Sequence, residues 1–182
     1  EKLQAIGINV TSIDDLFSGH VDYRSAIPLL IEMLPIIDNL DVKEAIVRAL
    51  AVKWAKPIAA KPLILEFHRP SNQDSEGLKW AIGNSLEVVA TDEVYDDMVR
   101  IAVEKSHGIA RQMVVLGLGK MKNPEVIDVL ISLLNDDEVN GHAISALRKL
   151  KAVRAVPHLE ALINHKNKWI STQAKNAIQA MK

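Results

Sequence analysis

The chain has 182 residues, 22 of them basic and 23 acidic for a net charge of -1, and its apolar residues reach 48% while aromatics stop at 4%. That length suits about one domain, and an apolar fraction made of Leu, Ile, Val and Ala suits packed helices better than an aromatic-rich sandwich. Balanced charge argues against a histone-like nucleic-acid binder, and the absence of cysteine excludes disulfide frameworks, thiolate metal sites and thiol catalysis and leans towards a cytoplasmic protein. In chain order, Ser12 to Phe17 reads as one short helix, opened by Ser12 with Asp15 and ended by Gly19, so residues 1–25 are expected to form a capping segment. Five helix pairs should follow: 26–40 with 42–54, 60–69 with 77–90, 93–105 with 108–121, 124–134 with 139–151, and 155–163 with 168–181, without a strand. No apolar run nears the roughly 18 residues of a membrane span, so no membrane partner is expected.

The pairing rests on an internal repeat. A helix-opening proline followed by aliphatics recurs at Pro28, Pro62, Pro124 and Pro157, with Tyr95 standing in the interval between Pro62 and Pro124. A second column of apolar residues, Leu50, Leu86, Leu118, Leu147 and Ile178, recurs at a mean spacing of about 32 residues. Apolar residues three and four apart give each segment one buried stripe, as in Val126, Ile127, Leu130, Leu133 and Leu134. Caps fall at the junctions: Asp41 with Glu44 has capping-box spacing, Asn123 precedes Pro124, and Asp74, Thr91 and Asp136 or Asp137 are candidates elsewhere.

Ankyrin and tetratricopeptide signatures are absent. Present instead are Ala155, Pro157, Leu159 and Leu162 in a first helix and the run Leu118, Gly119, Lys120, Met121 in a second. These residues resemble the short HEAT-like repeat of phycobilisome lyases and of many bacterial HEAT-repeat-domain proteins, over residues 26–182. The resemblance implies an all-α, right-handed α-solenoid of about five HEAT-like helix pairs, a single domain over 26–182, with the second helices lining a concave side. It speaks for architecture, because the repeated residues are the packing ones.

Catalytic signatures fail on this scaffold. Position 114 is Val and position 121 is Met, so Gly117-Leu118-Gly119-Lys120 cannot be a nucleotide loop, and Gly83-Asn84-Ser85-Leu86-Glu87 lacks the last glycine of a nucleophile elbow. The chain has no His-Glu dipeptide of the kind that supplies metal ligands in deoxyhypusine hydroxylase, and no cofactor or metal is expected. Trp54, Trp80 and Trp169 invite comparison with HEAT-like alkylpurine glycosylases, but the near-neutral charge argues against nucleic acid. Trp54 extends the apolar stripe of Val47 and Leu50 and is expected in the core. Trp80 lies six residues before Leu86, about 120° from the core stripe at about 100° per residue.

Two columns on the second helices should therefore share one open face: Arg48, Asn84, Leu116, Ser145 and Asn176, with Glu44, Trp80, Gln112, Gly141 and Thr172. Arg48, Trp80, Asn84, Arg111, Gln112 and His142 are the candidate binding residues, Trp80 as aromatic anchor and the two arginines as bidentate donors. Over the second-helix windows, including residue 182, there are 13 basic and 2 acidic residues, against 4 and 10 in the first helices. A basic lining would favour an acidic protein or peptide, whereas lysines at helix C-termini need no partner because they complement the helix dipole. The expected function is a non-catalytic protein-interaction scaffold; the alternative is a HEAT-like enzyme or chromophore handler of the bilin-lyase type, and nucleic-acid binding is third.

Overall fold

Among residues 2–18, 21–70 and 75–181, which a computed structural model describes, every regular element is helical. The chain divides into two compact units, Glu1–Ala90 and Thr91–Lys182. The first holds α1 (Lys2–Ala5), α2 (Asp14–Ser18), α3 (Ile27–Met33), α4 (Leu40–Leu50), α5 (Ala60–Phe67) and α6 (Glu76–Val89). The second holds α7 (Tyr95–Val103), α8 (Arg111–Leu118), α9 (Val126–Ser132), α10 (Asn140–Lys149), α11 (Val156–Glu160) and α12 (Lys168–Met181). All five expected pairs are present, mostly with shorter first helices, because short 3-10 turns such as Asp92–Val94 and Leu133–Asn135 take up their ends.

Pro28 and Pro157 occupy the first turns of α3 and α11, where a missing N–H costs nothing. Capping differs from expectation in detail. The cap of α4 is Asn39, whose side chain accepts the Val42 N–H at 3.0 Å, rather than Asp41. Thr91 makes no capping bond, and its buried hydroxyl oxygen has no hydrogen-bond partner. Asp92 fills a related role for the following repeat, accepting the Lys122 and Asn123 N–H groups at 2.8 and 3.3 Å. At the start of the chain Asp15 gathers the N–H and hydroxyl of Thr11 and the N–H of Ser12, with the Thr11 hydroxyl the main cause of a carboxyl held below its usual range. Gly19, His20, Asp74 and Lys182 lie outside the described residues.

Each unit has two layers. In the first, α2, α4 and α6 lie side by side, with α3 packed on α4 and α5 on α6. In the second, α8, α10 and α12 form the corresponding row, backed by α7, α9 and α11. Leu50, Leu86, Leu118 and Leu147 are fully buried between the layers, while Ile178 is half-buried and α12 turns Ala174 and Ala177 inward. Gly119, the C-cap of α8, is required by close approach: a Cβ there would lie 2.8 Å from both Cα and Cβ of Ala146 on α10.

Candidate functional site

In the first unit, α4 is open along Asp41, Glu44, Ala45 and Arg48, and α6 along Gly77, Trp80 and Asn84, spacings of three and four that keep each set on one helical stripe. Arg48 donates through Nε and Nη2 to Glu44 Oε1 at 2.9 and 2.5 Å. Asn84 Nδ2 donates to its own helix, at 2.8 Å from the Trp80 carbonyl oxygen, leaving the Trp80 indole 42% exposed. A pocket of about 340 Å³ lies between α2 and α4, lined by Asp14, Phe17, Asp41, Glu44, Ala45 and Arg48. Arg48, Trp80 and Asn84 therefore belong to one face of one unit.

Arg111, Gln112 and His142 lie in the second unit, and Arg111 is not an open donor there. Its exposure is 0%. The guanidinium donates to Asp136 Oδ2 at 2.8 Å and Glu138 Oε2 at 2.6 Å, and to the carbonyl oxygens of Ala102 and Gly108, each at 3.1 Å. It thereby ties the end of α7, the turn before α8 and the loop before α10 into one node. Burial works against its charge, but hydrogen bonds to the two carboxylates outweigh that and raise its proton affinity. The reciprocal bond from Arg111, larger than the opposing effect of burial, holds the Asp136 carboxyl below its usual range. Gln112 remains partly open and donates to the Glu138 carbonyl oxygen at 2.9 Å; His142 is half-buried, and burial pushes its imidazole pKa down.

Two aromatic residues that sequence columns did not select also lie on these rows. Trp169 on α12 covers Gly141 so closely that a Cβ on Gly141 would sit 2.0 Å from Trp169 Cζ3, yet the indole is 51% exposed. The signal for it was the glycine, which breaks the column of larger side chains at Glu44, Trp80 and Gln112. Phe17 is 43% exposed beside the α4 stripe. Trp54, expected in the core, is half open instead: α4 ends at Leu50, so Trp54 falls in a 3-10 turn, edge-on to Tyr23 at 5.7 Å and beneath the Arg24 guanidinium at 5.4 Å.

The structure also redistributes charge. Lys43, counted as second-helix basic charge, is buried against Glu66 at 2.5 Å, and Arg111 is buried as above. Lys53, Lys122 and Lys151 lie beyond the helix ends. The helical residues of α8, α10 and α12 contain no carboxylate, whereas α2, α4 and α6 contain Asp14, Asp15, Asp41, Glu44, Glu76 and Glu87. Among the described residues no group of three or more His, Asp or Glu is placed to hold a metal, and no helix is long and apolar enough to cross a membrane.

Stacked helix pairs with a buried leucine column and an open row of second helices define an all-α repeat protein of the α-solenoid class. Residues 95–181, nearly the whole second unit, match the family model of HEAT repeats, which supports a HEAT-like repeat protein. Among solved structures the chain is similar to a designed armadillo repeat protein, at TM-score 0.57 and 16% identity, covering 87% of this chain and 83% of that one. That likeness is one of fold. No curated protein matches the chain.

Proposed function

We propose that the chain is a non-catalytic interaction scaffold whose second-helix faces bind a protein or peptide. The observation that carries this reading is the exposure of Trp80 and Trp169 on those helices, in front of a leucine core that is complete without them. Large, rigid aromatics held in water are the residues interface hot spots favour. Trp80, Asn84 and Arg48 would act on the first unit and Gln112, His142 and Trp169 on the second; Arg111 is assigned a structural role because all its approaches are filled. Support for an acidic partner is confined to the second unit, where exposed Arg148, Lys149, Lys168 and Lys175 meet no carboxylate within their own helices. The short repeat period supports grouping with phycobilisome-lyase-type repeats, as architecture alone.

Trp80→Ala and Trp169→Ala, made separately, should keep the helical circular dichroism of the parent while losing proteins that the parent retains from a lysate of its own cells. If both variants retain the same set, the aromatics are not anchors and the reading fails.

A further inference from the structure

We propose that the junction between α4 and α5, together with the outer face of α5, docks on an anionic phospholipid surface. This goes beyond the scaffold reading and uses none of its residues. None of the described helices is long and apolar enough to cross a membrane, so the contact is peripheral. Residues 51–59 make the longest connection from a second helix to the next first helix, against 90–94, 119–125 and 150–155. Small residues of this junction turn inward and large ones outward: Ala55 and Ala59 are fully buried, whereas Lys53, Trp54, Lys56 and Ile58 stand open. The helix that follows continues the pattern with Lys61 and, one turn on, Leu65, which is 66% exposed.

Charge sets this edge apart from its neighbours as well. α7 carries Asp96 and Asp97 in its first turn and α9 carries Asp128, but α5 has Lys61 there, where the helix dipole favours a carboxylate. Glu66, the only carboxylate of α5, is buried and paired with Lys43 and Arg69. From Arg48 to Leu65 the sequence holds no acidic residue. Trp54 is positioned in advance: Tyr23 donates its hydroxyl to the Ala49 carbonyl oxygen at 3.1 Å, and its ring flanks the indole together with the Arg24 guanidinium. Cations and apolar side chains alternate here, without the apolar centre and polar rim of a protein interface. A lipid surface takes that mixture. Apolar ends enter the headgroup boundary, ammonium groups on long stems reach the phosphates, and tryptophan favours the interface itself. Negative headgroups supply the complementary charge.

The test is co-sedimentation of the full chain with vesicles of phosphatidylcholine alone, or of phosphatidylcholine and phosphatidylserine in equal parts. Expected is binding to the mixed vesicles only, reversed by salt, with tryptophan emission moving to shorter wavelength. Lys53→Gln with Lys56→Gln should weaken it roughly twenty-fivefold, since each cation near a charged leaflet contributes about a factor of five. Leu65→Ser, at an open position, should weaken it while keeping the helical circular dichroism. Trp54→Phe should still bind but lose the emission shift, which Trp80→Phe and Trp169→Phe should keep. The proposal is overturned if the mixed vesicles do not sediment the chain, if phosphatidylcholine alone binds it equally, if the double Gln variant or Leu65→Ser binds as well as the parent, or if the emission shift survives Trp54→Phe. Should vesicles fail while the double Gln change abolishes binding of a peptide in which Glu alternates with Ala, the edge docks an acidic protein segment and the lipid assignment is wrong. Each of these results can occur while capture of cellular partners through Trp80 and Trp169 persists, so the scaffold reading stands or falls separately.

Discussion

Arg111 shows how one side chain can stabilise a repeat junction rather than serve a ligand. Its guanidinium has four acceptors drawn from α7, the α8 turn and the loop before α10, and no surface of its own. Removing one partner of a buried ion pair strands the other, at a cost of about 3–5 kcal/mol, so Arg111→Ala should lower the free energy of unfolding in urea by about that much. Asp136→Asn probes the same node from the acid side. The Asp136 carboxyl is held below its unfolded range, so its contribution is complete above the unfolded value of about 3.9 and is lost as pH falls through the folded value. The acid limb of the stability profile should therefore be shallower in Asp136→Asn than in the parent; identical limbs would mean the pair is thermodynamically silent.

Between elements, two glycines on the second-unit row make contrasting demands. Ala at Gly119, the C-cap of α8 with an ordinary negative φ, gains about 0.4–1 kcal/mol by restricting the unfolded chain, but its methyl would collide with Cα and Cβ of Ala146 on a packed helix, where backbone must move. Gly119→Ala should destabilise by about 1–3 kcal/mol, and a gain in stability would show that α8 and α10 can separate freely. At Gly141 the obstacle is the half-open Trp169 ring, which can swing away. Gly141→Ala should cost less than Gly119→Ala while shifting the tryptophan emission towards that of a more solvated indole. Pairing is legible in the apolar stripes and prolines, whereas helix lengths are not, because 3-10 turns take up ends that carry the same apolar pattern. The caps are less legible: the capping-box spacing of Asp41 with Glu44 competes in the sequence with Asn39, the residue that caps α4.

For the whole molecule, a net charge of -1 conceals two units of different surface character. The second-unit row, free of carboxylates within its helices, should bind a labelled peptide in which Glu alternates with Ala, with an affinity that falls as salt rises, since exposed charges are screened beyond about 8 Å at physiological ionic strength. Trp169→Ala should weaken that binding and Trp80→Ala should not. Equal loss in both variants, or affinity indifferent to salt, would remove the acidic-partner assignment from this face.

The sequence alone determined the repeat: a leucine recurring at a mean of about 32 residues, in phase with amphipathic helices, can be buried only if successive pairs stack. It also placed Trp80 off the core stripe, because helical phase is a local property. Tertiary structure alone decided what the arginines do. Arg111 flanks the open column in sequence, but carboxylates 25 and 27 residues away reach it through the next repeat's loop and turn a predicted ligand donor into an internal tie. Charge counted over a helix window does not distinguish a solvated lysine from Lys43, neutralised by Glu66 in the adjoining helix. Trp169 takes its place from Gly141 of a neighbouring helix, a signal that lies in the column between repeats and not in the stripe of its own helix. Periodicity is written within a segment, whereas burial and ion pairing depend on which segments meet.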